Sequence, residues 1–335
     1  MGISKAKIGI PLKIAASAVV ALLTLILFAP AALRADGSGN DGNGDSNSNG
    51  SGFIIDPTAK GEGYASFLYN NTTGLPTSEA NAIVQTEDGF IWIGSYGGLI
   101  RYDGNTFERM DSTTGIASVV SLFVDSRQRL WIGTNDSGAA VMTKEGITTM
   151  YKKSDGLPSF SVRCFAEDPD GTVYIATTGG IAAFDTDGSI SVIDIPELDS
   201  KYIRCLATGA DGITYALTMA GEVFTLSGGA LKDHYSKDDL GLNGTGIHCL
   251  HTDPVNPGYI YLGTEDSRIM YGSLDKEPKF DKKDMINAAP LQYINAVINV
   301  GDDLWICANN GICVYRNNKP TLLENTPMKS SIESK

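Results

Sequence analysis

The sequence predicts an all-β protein, a β-propeller of four-stranded blades, on three observations. The first is an internal repeat: Trp92, Trp131, Tyr174, Tyr215, Tyr261 and Trp305 recur at intervals of 39 to 46 residues. The second is what surrounds each aromatic. An alternating apolar stretch and an Asp/Gly turn precede it, and a short apolar strand, a second turn and another strand follow. The third is composition, with 38 glycines, 8% aromatic residues and no long amphipathic helical pattern after the first few dozen positions. A unit of about 40–45 residues holding four strands is the size of a propeller blade. One such sheet cannot bury both faces alone, and stacking blades in a ring does it for all of them.

The elements follow in chain order. Lys5, Lys7 and Lys13 precede an uncharged apolar run from Ile14 to Leu33, a length of 20 residues. A run of about 20 apolar residues spans a bilayer as a helix, and the lysines set the orientation with the remainder outside. Residues 1–35 are therefore expected to be a membrane anchor. A cleaved signal peptide is the alternative, with Ala29-Pro30-Ala31 as a cleavage-like site, and it would leave the rest secreted. Residues 36–61 open on a Gly, Asn, Asp and Ser tract that cannot bury apolar area and reads as a flexible linker. The repeats occupy 62–335.

Gly74-Leu75-Pro76, Gly115-Ile116-Ala117 and Gly156-Leu157-Pro158 open the first three units at equal spacing. The stretch from Gly74-Leu75-Pro76 through Asp88-Gly89-Phe90-Ile91-Trp92-Ile93-Gly94 to Arg101-Tyr102-Asp103-Gly104 resembles the two-component regulator propeller repeat. The copies around Tyr215 and Tyr261 are degenerate. The resemblance implies a seven-bladed propeller outside the cell membrane. It acts as the ligand-sensing part of a receptor whose output is a histidine kinase or a diguanylate cyclase, and it admits a homodimer in the full receptor. It loosely implies a small-molecule or glycan ligand.

Six units begin near residues 74, 115, 156, 197, 241 and 288. Residues 326–334 align with 156–164, so a seventh blade is expected to start there and break off within its first strand. The segment 64–69 is expected to close that last blade, clasping the two ends of the ring. On this reading the chain is a sensor truncated before its output module and is not itself an enzyme. An exported binding or scaffold propeller without output is the second reading, and a propeller glycosidase or lyase the third.

The net charge of −13, without a run of Lys or Arg, argues against nucleic-acid binding. No nucleophile elbow, phosphate loop or zinc-protease motif is present, and neither cofactor nor metal is expected. Asp168-Pro169-Asp170-Gly171 has equivalents in other units and reads as a hairpin turn rather than a calcium loop. Cys164, Cys205 and Cys249 fall in one repeat slot, filled elsewhere by Ala82, Ser121 and Ala296, and read as buried small hydrophobes. Cys307 and Cys313 flank one turn and are the local disulfide candidates. His234 has no evident partner.

One slot carries candidate ligand-binding chemistry. Immediately before the small residue of each inner strand stand Asn81, Val120, Arg163, Arg204, His248 and Asn295. Inner strands line the central channel, so Asn81, Arg163, Arg204, His248 and Asn295 would converge at its mouth. Two guanidinium groups and an imidazole in an acidic chain suit an anionic ligand. The competing reading pairs them with acidic residues between blades.

Overall fold

The computed structural model describes residues 69–77, 79–110, 115–242, 244–274, 280, 286–288, 290–316 and 319–322, together with the backbone of 24–27 and 65–68. Among these residues the chain forms six antiparallel four-stranded sheets. Blade 1 comprises β3 (Ala82–Gln85), β4 (Ile91–Ser95), β5 (Gly98–Tyr102) and β6 (Phe107–Arg109). Blade 2 comprises β7 (Val119–Val124), β8 (Leu130–Thr134), β9 (Ala139–Met142) and β10 (Thr148–Tyr151). Blade 3 comprises β11 (Val162–Glu167), β12 (Val173–Thr177), β13 (Gly180–Phe184) and β14 (Ile190–Val192). Blade 4 comprises β15 (Ile203–Thr208), β16 (Thr214–Thr218), β17 (Val223–Ser227) and β18 (Ala230–Tyr235). Blade 5 comprises β19 (Ile247–Thr252), β20 (Tyr259–Thr264), β21 (Arg268–Ser273) and β22 (Ile286–Asn287). Blade 6 comprises β23 (Ile294–Val300), β24 (Asp303–Ala308), β25 (Gly311–Arg316) and β26 (Lys319–Leu322). The inner strands neighbour one another in sequence order, β3 on β7, β7 on β11, β11 on β15, β15 on β19 and β19 on β23.

The core lies between blades. Ala82, Val84, Trp92 and Leu99 of blade 1 meet Val119, Leu122, Leu130 and Ile132 of blade 2. Trp131 and Val141 of blade 2 meet Val162, Phe165, Ile175 and Phe184 of blade 3. Alternation along each strand sends successive side chains to opposite neighbours, so the second strands, buried on both faces, read as nearly continuous apolar runs. Close approach demands small residues there. A Cβ on Gly133 would lie 2.9 Å from Val162 Cγ1 of the next blade, and one on Gly263 would lie 2.7 Å from Ile294 Cγ2.

In blades 1 to 4 the first hairpin turn is tied to the aromatic that marks the repeat. Asp125 accepts from Trp131 Nε1 at 2.8 Å, and Asp168 accepts from the Tyr174 hydroxyl at 2.9 Å. Asp211 does the same for Tyr215 at 2.8 Å, and Thr86 for Trp92 at 3.1 Å. Asp168 also accepts from the backbone N–H groups of Asp170 and Thr172, so the calcium-like segment is a hydrogen-bonded turn.

Two faces are more open than their equivalents. Ile83 and Ile91 of blade 1 are half-buried, whereas Leu122, Phe165, Leu206 and Leu250 in the first position are buried, as are Leu130, Val173 and Ile260 in the second. On blade 6, Ala296, Cys307 and Ile312 are half-buried, whereas Cys249 and Ile269 at the matching places of blade 5 are buried. These are the faces of blades 1 and 6 turned away from blades 2 and 5.

Several expectations change. The strand expected to clasp the seventh blade is seen as β2 (Ala65–Leu68), paired with β1 (Thr24–Leu27), while blade 6 has an outer strand of its own, β26. The predicted seventh blade at 326–334 and the linker at 36–61 lie outside the described residues. So does most of the apolar run, whose described part, Thr24–Leu27, is extended. Among the described residues no helix is long and apolar enough to cross a membrane. Cys307 and Cys313 do not bridge. Cys307 pairs with Ile312 and Cys313 with Ile306 across β24 and β25, which puts the two thiols on opposite faces. Cys164, Cys205 and Cys249 are buried free thiols. His234 does find partners, stacking on Phe224 at 4.1 Å with its Nε2 3.3 Å from Glu222.

Candidate functional site at the channel mouth

The slot that holds Arg163, Arg204, His248 and Asn295 coincides with a β-bulge. Pairing of the first two strands shifts between Val162 and Cys164, Ile203 and Cys205, Ile247 and Cys249, and Ile294 and Ala296. Blade 2 has the same shift around Val120. The extra residue of a bulge leaves the ladder, and its side chain is re-aimed. The fold therefore lifts one residue per inner strand out of the sheet at the same end of the channel.

Arg204 and His248 come together across blades 4 and 5, while Arg163 of blade 3 has contacts of its own. The Arg163 guanidinium lies 5.2 Å from the ring centroid of Tyr202 and donates from Nη2 to Asn135 Oδ1 at 3.1 Å. Arg204 places Nη1 3.1 Å from His248 Nδ1 and Nη2 2.8 Å from the Met219 sulfur. A guanidinium only donates, so His248 Nδ1 accepts and the imidazole proton sits on Nε2. That nitrogen is 3.9 Å from Glu265 Oε2. Burial, followed by the charge of Arg204, holds the His248 pKa below its ordinary 6.5, and Glu265 acts in the opposite direction. The imidazole is thus neutral near pH 7.

The two arginines keep unmatched donors. Among the described residues neither forms an ion pair, although other cations do so, such as Arg129 with Asp125 and Lys201 with Glu222. The Nε groups of Arg163 and Arg204 are buried without an acceptor. The inter-blade ion pairs that competed with a ligand role at the sequence level are therefore not formed by these side chains.

Asn81 and Asn295 have other places. Both are buried. Asn81 donates to the Val119 carbonyl at 2.8 Å, tying blade 1 to blade 2, and Asn295 donates to Asn309 Oδ1 at 2.6 Å. Sequence reasoning missed Tyr202, Met219, Glu265 and Tyr293. Tyr202 and Tyr293 stand three residues before the small-residue slot, in register with Ser118, Ser161 and Gly246, so the repeat itself carried the signal.

Among the described residues no group of three or more His, Cys, Asp or Glu side chains is arranged to hold a metal. A separate cleft of about 600 Å³ runs beside the outer strands of blades 3 and 4. Asp170, Asp185, Asp194 and Glu197 line it, and their charge disfavours anions there.

A family profile described as the two component regulator propeller matches residues 74–97 and 116–136. Comparison with curated proteins gives no match. Solved structures share the fold at identities below a quarter. The extracellular domain of a hybrid two component system from B. thetaiotaomicron is 21% identical with a TM-score of 0.59, over 76% of this chain and 35% of that one. The extracellular domain of a one component system from the same organism is 16% identical with a TM-score of 0.62, over 80% and 38%. This chain therefore spans little more than a third of those two domains. The virginiamycin B lyase of Staphylococcus aureus is 17% identical with a TM-score of 0.60, over 72% and 83%. Six blades in repeat register make this chain a β-propeller, and two of its repeats match the two component regulator propeller profile.

Proposed function

We propose that this chain is the extracytoplasmic sensor portion of a membrane signalling receptor, and that it takes an anionic ligand at the channel mouth. The observation that carries the ligand site is that, among the described residues, Arg163 and Arg204 of successive blades have no carboxylate partner and keep buried Nε groups without an acceptor, in a chain of net charge −13. Carboxylate and sulfate groups are the natural acceptors for such donors. The repeat family and the extracellular neighbours support a sensing role, and the Lys-flanked apolar run at 14–33 supports an anchor with the propeller outside. Signalling through it requires that the ligand bind two receptor states unequally. A kinase or cyclase output would lie in another segment.

A lyase-like reading has one observation in its favour. His248 is held by Arg204 on one side and faces Glu265 on the other, within a fold shared with a lyase. Neutral imidazole at that place is suited to accept a proton only after leaving Arg204, which favours binding over turnover.

The test is thermal unfolding of the full chain in acetate or sulfate against chloride at equal ionic strength. A ligand at ten times its Kd stabilises by about 1.4 kcal/mol. The proposal expects an anion-specific rise that disappears in the Arg163→Ala/Arg204→Ala double variant. An equal rise in wild type and variant would remove the mouth as the site. Alkaline phosphatase fused after residue 61 tests orientation, since activity in intact cells requires export.

A further inference from the structure

The slot three residues before the small residue places an aromatic ring beside the bulge cation of the preceding blade. Tyr202 of blade 4 meets Arg163 of blade 3, and Tyr293 of blade 6 meets His248 of blade 5 edge-on, with ring centroids 5.4 Å apart. Tyr293 is 44% exposed and holds φ at 55°, a backbone conformation that a bulky side chain rarely takes. Its N–H donates to the Glu265 carbonyl at 3.2 Å, which holds the ring over the mouth. Strain of this kind persists where the surroundings over-determine it, commonly at ligand sites.

Blade 5 departs from the row. Its residue in that slot is Gly246, and the Glu265 carboxylate occupies the space a side chain there would need, with Oε2 3.0 Å from a Cβ built on it. Glu265 Oε1 accepts from the Gly246 N–H at 3.0 Å, which leaves Oε2 facing His248. His248 is therefore a hub in contact with a cation, an exposed ring and a carboxylate. With neutral imidazole, the hub sets the Arg204 guanidinium against the Glu265 carboxylate, which suits a ligand carrying one acidic group and a hydrogen-bond donor.

We propose that the His248 hub is a subsite for a hydroxylated ring carboxylate, whose carboxylate meets Arg204, whose ring lies against Tyr293 and whose hydroxyl donates to Glu265. The proposal rests on the anion-binding reading above and deepens it. Acidic sugars and hydroxylated aromatic acids share this chemistry. A flat or apolar ring face adds stacking on tyrosine, and the fork of Arg204 orients the acid.

Titration calorimetry on the full chain in detergent, at about pH 7.5 where histidine is neutral, tests it with glucuronate, 4-hydroxybenzoate, acetate and glucose. The expected result is that a ring acid binds at least about tenfold more tightly than acetate or glucose. Which ring acid does so separates the sugar source from the aromatic one. Arg204→Ala should weaken that binding by about tenfold or more. Tyr293→Ser, which installs the residue that Ser118 places in the same slot with φ at 48°, should weaken it by roughly two- to tenfold. Tyr293→Phe should retain it. If Arg204→Ala does not fold, Tyr293→Ser decides. Ring acids no tighter than acetate would overturn the subsite and leave the anion site standing. Absence of binding by every anion would overturn both. Unchanged affinity in Arg204→Ala and Tyr293→Ser would place any ring acid elsewhere and also overturn the subsite.

Discussion

Replacing Asp125 with alanine isolates the turn-to-aromatic tie that recurs through the repeat. Its carboxylate is buried and accepts three hydrogen bonds, from Arg129 N at 2.8 Å, Arg129 Nε at 2.6 Å and Trp131 Nε1 at 2.8 Å. The truncation leaves the indole N–H of a fully buried tryptophan without an acceptor, a loss of about 1–3 kcal/mol. It also strips the counter-ion from Arg129, whose guanidinium is sandwiched near Trp131 and Phe184 at 5.3 and 5.2 Å. Breaking a buried pair by removing one partner costs about 3–5 kcal/mol. The Arg129 side chain retains some solvent contact and relieves part of that, so the total should be about 4 kcal/mol. For a domain of this size that is roughly 8–16 °C in Tm. Asp125→Asn keeps one acceptor for the indole and should lose about half as much. The assay is urea unfolding followed by tryptophan fluorescence, with Trp131→Phe as the second arm of a double-mutant cycle. If Asp125→Ala loses less than about 1 kcal/mol, or if the cycle shows no coupling to Trp131, the tie is incidental to stability and the reasoning fails.

Acid should destabilise the propeller in a window set by histidine. His251 donates from Nε2 to Asn299 Oδ1 at 3.0 Å, and burial holds its pKa below 6.5, against smaller opposing effects of Asn299 and Asp253. The unfolded chain then takes the proton first, so this contribution is intact above about pH 6.5 and is lost as pH falls below it. Urea midpoints measured between about pH 5 and 8 should fall on the acid side, and His251→Gln should flatten that fall. His248 shifts in the same direction and leaves a residual slope in the variant. Gly263→Ala places a Cβ 2.5 Å from Cys249 Sγ and 2.7 Å from Ile294 Cγ2, and overpacking of this kind should destabilise by about 1–3 kcal/mol. Adding Cys249→Ala should recover part of the loss in the same unfolding assay.

The fold was legible because period and pattern agree. The aromatics Trp92 to Trp305 all fall on second strands, and the glycine pairs Gly97-Gly98 and Gly179-Gly180 both turn into third strands. The small-residue slot was legible for the same reason, since a side chain facing the adjacent blade at 3 Å leaves no choice of volume. What the sequence left hidden is what crosses blades. The link from Arg204 to His248 spans 44 positions, and that from Arg163 to Tyr202 spans 39. Asn81 and Asn295 look like Arg163 in the slot, yet their short amides stop at the Val119 carbonyl of blade 2 and at Asn309 of blade 6, whereas the longer guanidinium stems reach side chains of the next blade, His248 and Tyr202.

The bulge explains why a degenerate repeat can still build a site. Packing fixes the small residue, the aromatic and the turn aspartate, because each is buried against a neighbouring blade. The residue displaced by the bulge is released from the ladder, so strand pairing leaves its identity open: Val120, Arg163, Arg204, His248 and Asn295 occupy it in successive blades. The same freedom applies three residues earlier, where Ser118, Ser161, Tyr202, Gly246 and Tyr293 differ as widely. Two variable slots per blade recur at the start of five consecutive inner strands. The cations of the bulge row in the described blades are Arg163 and Arg204, the second adjoins its one imidazole, and the exposed tyrosine of the second row sits directly beyond it. Polar chemistry is thus gathered on blades 3 to 6 of a scaffold that repeats one blade plan, so the proposed subsite lies off the channel axis, toward His248.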